Sequence, residues 1–381
     1  MVQPQVDANP EKPMRFAFLT ELYHPNVGGQ EVFFQELAEA MVRRGHSVDV
    51  YCIGHELDLA VDESLNGVRV QRNPLSSRYM SPPIPALRRN WYDVVRFSAW
   101  ARKQLVFQQY DFHLMNQWPL LHVNALPRNM RARSAIHWCE IRDDRILGQV
   151  QERLPRIVGS NFAVSNAVAT SITAQSGRQC SVLPSGIELT RYRVADRGER
   201  AGALYVGRLA PHKNLSLLID AYELASKRGF VGDLTIAGDG PSRADIEEYA
   251  RRSSVAERIH VLGSVTEAQK IELLSRAAVL GMSSQREGFP RVIAEAMASG
   301  LPVVTAAFPE NGAKDVVAQY GAGIICGTEP TDFAEALLRV QEDWNAFSEA
   351  GIKGAQSLDW SGIAQSLELR AHEVNGQRSV T

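Results

Sequence analysis

The chain has 381 residues, 45 % of them hydrophobic, and a formal net charge of −2. That length exceeds one ordinary domain and suffices for two, each able to bury its own core, and a charge near zero gives no global field that would select nucleic acid or membrane as a partner. Cys52, Cys139, Cys180 and Cys326 are widely spaced and form no C-x-x-C pair, which argues against a zinc knuckle or disulfide framework and fits a reducing, cytoplasmic compartment.

Residues 1–13 are polar, with three prolines and no apolar h-region. They are expected to be a disordered tail rather than a secretory signal. No run of 18 apolar residues follows, so nothing is expected to span a bilayer. Arg15-Phe-Ala-Phe-Leu-Thr20 is an apolar run without polar alternation, which suits a parallel strand covered on both faces. The loop His24-Pro-Asn-Val-Gly-Gly29 comes next, then an amphipathic helix over Glu31–Arg44 closed by Gly45, then a strand over Ser47–Ile53. Strand, glycine loop, helix and strand form a βαβ unit. A further helix is predicted over Trp91–Leu105, with Trp91, Val94, Val95, Ser98 and Arg102 at helical spacing.

The second half repeats the plan. Strands are predicted over Ala203–Gly207, Asp233–Ala237, Arg258–Leu262, Val279–Ser283 and Pro302–Ala306. Helices are predicted over Leu215–Lys227, from Ser242 as N-cap, from Thr266 as N-cap to Ala277, and over Val292–Ser299. Alternation at this spacing means a parallel sheet with helices on both faces. Two Rossmann-like domains are therefore expected, at 14–192 and 193–356. The polar stretch Arg193–Gly202 reads as an exposed linker, and 357–381 as a last helix and tail in which Trp360 is packing. Ligands of such sheets bind at the carboxyl ends of strands, so the site is expected in a cleft between the domains.

Three features carry chemistry. Glu287 and Glu295 frame the run Glu287-Gly-Phe-Pro-Arg-Val-Ile-Ala-Glu295. Pro290 suits a first helical turn, which leaves Glu287 in the loop before the helix and Glu295 on it. Carboxylates accept from vicinal hydroxyls, so the pair can grip a sugar ring and a ribose. Arg208 and Lys213 flank a loop between a strand and a helix N-terminus, where cations and backbone N–H groups suit a diphosphate. Gly28-Gly29 before a helix lets the main chain approach a phosphate or sugar closely.

Together these residues resemble the family-4 retaining glycosyltransferases of the GT-B fold. The resemblance also takes in His137 at the end of Ala135-Ile-His137, Pro184-Ser-Gly-Ile-Glu188, Gly238-Asp-Gly-Pro241 and Ala296-Met-Ala-Ser-Gly-Leu-Pro-Val-Val304. It implies that Arg208 and Lys213 hold the donor diphosphate, that Glu287 meets the donor sugar and Glu295 the ribose, and that Gly29 approaches the donor through its backbone. His137 would lie beside the sugar near the reacting carbon. It further implies retention of configuration, a last helix crossing back to the first domain, and no metal or cofactor beyond the nucleotide-diphosphate sugar as donor substrate. Asp143-Asp144 follows no suitable strand for a metal site. Two departures stand out: Cys139 replaces a common acidic residue, and Ala306-Ala-Phe-Pro-Glu310 replaces a loop that usually carries a glycine pair, so Phe308 and Pro309 are expected to reshape the sugar pocket.

The acceptor is expected to be a carbohydrate or lipid-linked molecule, in polysaccharide or glycolipid assembly. Arg69–Lys103 holds eight Arg and Lys against a single Asp93, together with Tyr79, Met80, Trp91, Tyr92, Phe97 and Trp100. With the stiff Ser81-Pro-Pro-Ile-Pro85 this suits peripheral contact with an anionic membrane. Three readings compete: glycosylation of a small soluble natural product, a GT-B nucleotide-sugar epimerase, and a binding scaffold without activity.

Overall fold

The computed structural model describes residues 12–26, 28–56, 58–74, 90–141 and 147–376. The segment 1–11, Arg78, Tyr79, Met80, Ser81–Pro85, Arg88, Arg89 and Asp143-Asp144 lie outside the described residues. The chain divides into two compact units: Met1–Gly186 with Trp360–Thr381, and Ile187–Asp359.

In the first unit β1 (Arg15–Leu19), β2 (Ser47–Ile53), β3 (Asp62–Leu65), β4 (Val68–Asn73), β5 (Phe112–Asn116), β6 (Ser134–Trp138), β7 (Ser160–Ala163) and β8 (Ser181–Val182) form one sheet in the order β3-β4-β2-β1-β5-β6-β7-β8. All neighbours are parallel except β3 and β4. That hairpin was not predicted. Its strands mix charged and apolar residues, and its Asn66-Gly67 turn has positive φ at both positions, which asparagine and glycine tolerate. Phe16, Phe18, Val50 and Leu114 of the central strands are fully buried, each adding about 1.5–3 kcal/mol of apolar burial. Helices α1 (Gly29–Arg43), α2 (Trp91–Val106), α3 (Leu147–Arg153) and α4 (Asn166–Ser176) follow.

In α2 the structure revises the predicted stripe. Val94, Phe97, Ala101 and Leu105 are buried, whereas Tyr92 and Val95 face out. Trp100 packs edge-on to Tyr51 at 5.9 Å.

The second unit has a six-stranded parallel sheet, β11-β10-β9-β12-β14-β16. Its strands are β9 (Ala203–Val206), β10 (Leu234–Ala237), β11 (Ile259–Gly263), β12 (Val279–Met282), β14 (Val303–Ala306) and β16 (Gly323–Cys326). Leu204 sits at its centre, level with Thr235 on one side and Leu280 on the other. The two-residue strands β13 (Arg286–Glu287) and β15 (Glu310–Asn311) pair separately. Helices α5 (Leu215–Lys227), α6 (Arg243–Arg252), α7 (Glu267–Arg276), α8 (Arg291–Ala298), α9 (Gly312–Tyr320), α10 (Pro330–Arg339) and α11 (Trp344–Gln356) complete it.

Thr266 caps α7 as predicted, in a full capping box with Gln269. Three other expectations change. Ser242 holds the N-cap position of α6 but makes no side-chain capping bond. Pro290 is the extended N-cap of α8 rather than part of its first turn. The stretch 193–202 is largely exposed, as predicted, but it is not a free linker. Its Arg200 is buried and donates to the carbonyl oxygens of Ala195, Leu274, Ala277 and Ser299, and burial lowers its pKa to about 10. A guanidinium with five donors is satisfied there only by converging carbonyls, so the segment is tied into its unit.

The last helix, α12 (Trp360–Gly376), belongs to the first unit and packs on α1. Trp360 is buried, and its Nε1 donates to Glu36 at 2.9 Å. Arg44 and Glu368 pair at 2.6 Å, both largely buried. A Cβ on Gly186 would come within 2.4 Å of the Trp360 ring, so the tryptophan needs a glycine beneath it.

Candidate active site

The second unit gathers predicted site residues at its topological switch point. The chain leaves β9 toward β10 on one side, while β12 lies on the other. The turns after these two strands therefore part and leave a crevice at their carboxyl ends. A glycine follows each of β9 and β10. Gly207 has φ 158°, and Gly238, with φ 146° after β10, packs so closely that a Cβ would lie 1.8 Å from the Gly207 carbonyl oxygen. The chain then makes a short 3-10 turn, Pro211–Lys213, and enters α5 through Asn214 in the left-handed region with no side-chain cap.

The loop after β12 is stitched to this turn. Ser283 Oγ donates to the Lys213 carbonyl at 2.9 Å, and Gln285 N donates to the His212 carbonyl at 2.8 Å. Lys213 Nζ lies 2.5 Å from Glu287 Oε1, and Ser284 Oγ donates to the same oxygen at 2.7 Å. The Lys213 and Glu287 side chains are 15 % and 10 % exposed. A pair so far removed from water is coupled strongly, and a carboxylate held this way keeps its second oxygen for a further donor. Arg208 is exposed and forms no ion pair among the described residues.

Beside the pair is an open pocket of about 420 Å³ lined by His212, Gln285, Arg286, Phe308, Pro309 and Glu310. The unusual Phe308-Pro309 thus forms part of a wall next to the Lys213 turn. That wall is fixed from behind: Asn311 donates to Thr305 Oγ1 at 3.0 Å and to the Ala306 carbonyl at 2.8 Å, and accepts from Ala313 N. The pKa of His212 is lowered, first by burial and then by the charge of Lys213, with Arg286 and Arg208 adding to it and Glu287 opposing. Sequence reasoning missed His212, Ser283, Ser284 and Arg286. The available signal was adjacency: His212 precedes Lys213, and the serines precede Glu287 by three and four residues.

Glu295 is not brought to this pair. It is buried on α8 and bonded to Lys270 Nζ at 2.9 Å, with Glu267 on the same ammonium at 3.0 Å. Burial alone would lower the Lys270 pKa, but the charge and hydrogen bonds of Glu295, then of Glu267, outweigh it and raise the value.

In the first unit His137, the residue before the last of β6, is fully buried and stacked on Phe33 at 4.0 Å. Its Nε2 lies 2.9 Å from the Leu183 carbonyl oxygen, so it carries the proton; Nδ1 faces the Gln30 amide at 3.4 Å. Burial pulls its pKa down to about 4, which leaves a neutral ring. The loop after it is held by Gln117 Oε1, which accepts from the backbone N–H groups of Cys139 at 2.9 Å and Glu140 at 3.0 Å. Gly28 is the extended N-cap of α1, and a Cβ there would strike the Glu31 carboxylate. A Cβ on Gly29 would meet nothing within 4 Å. Among the described residues no three His, Cys, Asp or Glu side chains gather so as to hold a metal ion, and no helix is long and apolar enough to cross a membrane.

Two family models match in tandem: Glycosyltransferase Family 4 over residues 27–191 and Glycosyl transferases group 1 over residues 189–356. An uncharacterized glycosyltransferase of Methanocaldococcus jannaschii is 26 % identical, over 92 % of this chain and 96 % of its own length. A D-inositol 3-phosphate glycosyltransferase of Geodermatophilus obscurus is also 26 % identical, over 90 % of this chain and 84 % of its own. Among solved structures, Anabaena HepE in complex with UDP-glucose superposes with a TM-score of 0.70 at 20 % identity, over 94 % of this chain and 100 % of that one. The tandem match, the two largely parallel sheets and the crevice after β9 and β12 agree: the chain is a glycosyltransferase and belongs to family 4, with the GT-B fold.

Proposed function

We propose that this glycosyltransferase moves a hexose from a nucleotide-diphosphate sugar to a carbohydrate or lipid-linked acceptor in polysaccharide or glycolipid assembly, with retention of configuration and without a metal or other cofactor. The observation that carries the reading is the Lys213–Glu287 pair beside an open pocket at the switch point of the second unit. HepE, of the same fold, has been solved in complex with UDP-glucose, which supports the donor class.

Breaking the anomeric C–O bond leaves positive charge on the sugar and negative charge on the departing diphosphate. Arg208, Lys213 and the uncapped N–H groups of α5 stabilise the diphosphate as that charge develops, the preorganised electrostatic contribution to catalysis. Glu287 is already oriented by Lys213 and Ser284, and it accepts from sugar hydroxyls. Glu295, held by Lys270, accepts from the ribose. The family resemblance assigns Gly29 a backbone approach to the donor and His137 a place near the reacting carbon; His137 is neutral and buried, so no proton transfer is assigned to it. The acceptor's proton passes to a phosphate oxygen of the donor as the acceptor attacks the same face, so no protein nucleophile is assigned.

The test is a donor screen with purified protein, scoring nucleoside-diphosphate release with and without lipid and polysaccharide acceptors. Acceptor-dependent release is expected. Free sugar from donor alone points to an epimerase, and no release from any donor refutes the reading.

A further inference from the structure

The outer face of α2 carries a pattern that sugar transfer does not use. With Val94, Phe97, Ala101 and Leu105 directed inward, the helix presents Tyr92, Val95, Val106 and, at its C-cap, Phe107, which are 69, 56, 51 and 79 % exposed. Arg96, Arg102 and Lys103 are exposed along the same side. At 100° per residue, positions 92, 95, 96, 99, 102, 103, 106 and 107 fall in one stripe. The stripe holds apolar, aromatic and cationic residues and no acid. The helix's single carboxylate, Asp93, is buried and lies 3.9 Å from Arg96. Arg96 also rests on the Tyr92 ring at 5.7 Å, and Arg102 reaches the Asn124 carbonyl at 3.4 Å; Lys103 points outward.

We infer that this face docks the protein on an anionic lipid surface, with the cations at the level of the phosphates and Val95, Val106, Tyr92 and Phe107 in the boundary below them. It rests on the proposed function only in that a lipid-linked acceptor gives the enzyme a reason to be at that surface. Large apolar and aromatic side chains left in water beside Lys and Arg suit a helix lying at an interface, where the apolar groups enter the acyl boundary and the cations meet the headgroups. A nucleic-acid strand would use the cations but has no use for exposed valines. An uncharged apolar partner would leave Arg102 and Lys103 without a counter-charge, since among the described residues only Arg96 has one, in Asp93. Anionic lipid takes both halves of the stripe, through apolar burial and through attraction of Arg and Lys near the surface.

The test is sedimentation of the full chain with vesicles of phosphatidylglycerol and phosphatidylcholine, against phosphatidylcholine alone. Wild type is expected to pellet with the anionic vesicles at low salt, to stay in solution with the neutral ones, and to be released by high salt. Arg102→Glu/Lys103→Glu and Tyr92→Ser/Phe107→Ser are each expected to lower partitioning at least tenfold. Arg251→Glu/Arg252→Glu, on the exposed side of α6, should leave it unchanged. Melting curves and donor turnover show that each variant is folded, and turnover that persists without vesicle binding separates failure of this inference from failure of the proposed function. Wild type that fails to pellet at low salt overturns it, as do stripe variants that pellet like wild type. If light scattering instead shows the stripe variants breaking an oligomer, with no vesicle binding by wild type, the face is a contact between copies and the lipid inference is wrong.

Discussion

Glu287→Gln isolates the charge of the pocket carboxylate at nearly constant shape. Glu287 Oε1 accepts from Lys213 at 2.5 Å and from Ser284 at 2.7 Å, with little water access. Glutamine leaves an acceptor for Ser284, so the neutral bond survives. What disappears is charge assistance, and Lys213 is left in a half-closed site without its counter-charge. Together these cost about 1–3 kcal/mol of stability, and for a unit of this size each kcal/mol lowers the melting temperature by about 2–4 °C. Turnover suffers separately, because the carboxylate no longer holds the sugar as positive charge builds on it: kcat/KM is expected to fall at least about tenfold, or about 1.4 kcal/mol. Nucleoside-diphosphate affinity should move the other way, or hold, since Lys213 no longer divides its charge between Glu287 and phosphate. Initial rates with the donor from the screen, and calorimetric titration with the matching nucleoside diphosphate, measure both. Unchanged turnover removes Glu287 from the site. A parallel fall in turnover and diphosphate affinity reduces its role to holding Lys213 in position.

Lys213→Ala and Arg208→Ala should each weaken binding of nucleoside diphosphate by about 1.5–3 kcal/mol while sparing the nucleoside; equal losses for both ligands in calorimetry would show that these cations do not meet phosphate. The two glycine loops should respond oppositely to alanine. Gly238→Ala puts a Cβ 1.8 Å from a backbone oxygen at φ 146°, so it should unfold at lower denaturant. Gly29→Ala meets no protein atom within 4 Å, so its denaturation midpoint should match wild type while donor affinity drops; unchanged affinity refutes the close backbone approach. Acid should destabilise the first unit. Burial lowers the pKa of His113, His122 and His137 to about 4, 3 and 4, so the unfolded chain binds more protons below about pH 6.5 and stability is lost as pH falls from there toward 4, at up to about 1.4 kcal/mol per pH unit for each histidine. Urea midpoints that stay flat from pH 7 to pH 5 would contradict this.

The sequence by itself determined the βαβ alternation, because strands covered on both faces are uninterrupted apolar runs and the helices between them carry one apolar stripe. The predicted span of β2 and that of α5, Leu215–Lys227, coincide with those in the structure. It also identified the residues of the Lys213 turn and the Glu287 segment, since glycine, cation and carboxylate spacing survives without knowledge of contacts. Tertiary structure alone decided the rest. Lys213 and Glu287 are 74 residues apart, and only the β9–β12 adjacency brings them together. Two-residue strands such as β13 and β15 have no periodicity to read; they exist because Gly312 lets the backbone come up against Gly288. Arg200 looked solvated because polar composition does not reveal converging carbonyls, and Glu295 looked free for a ligand because nothing nearby in the chain announces Lys270. On α2 the spacing gave the helix, but which stripe faces water depends on what lies beneath it, and that is fixed by the sheet the helix packs against.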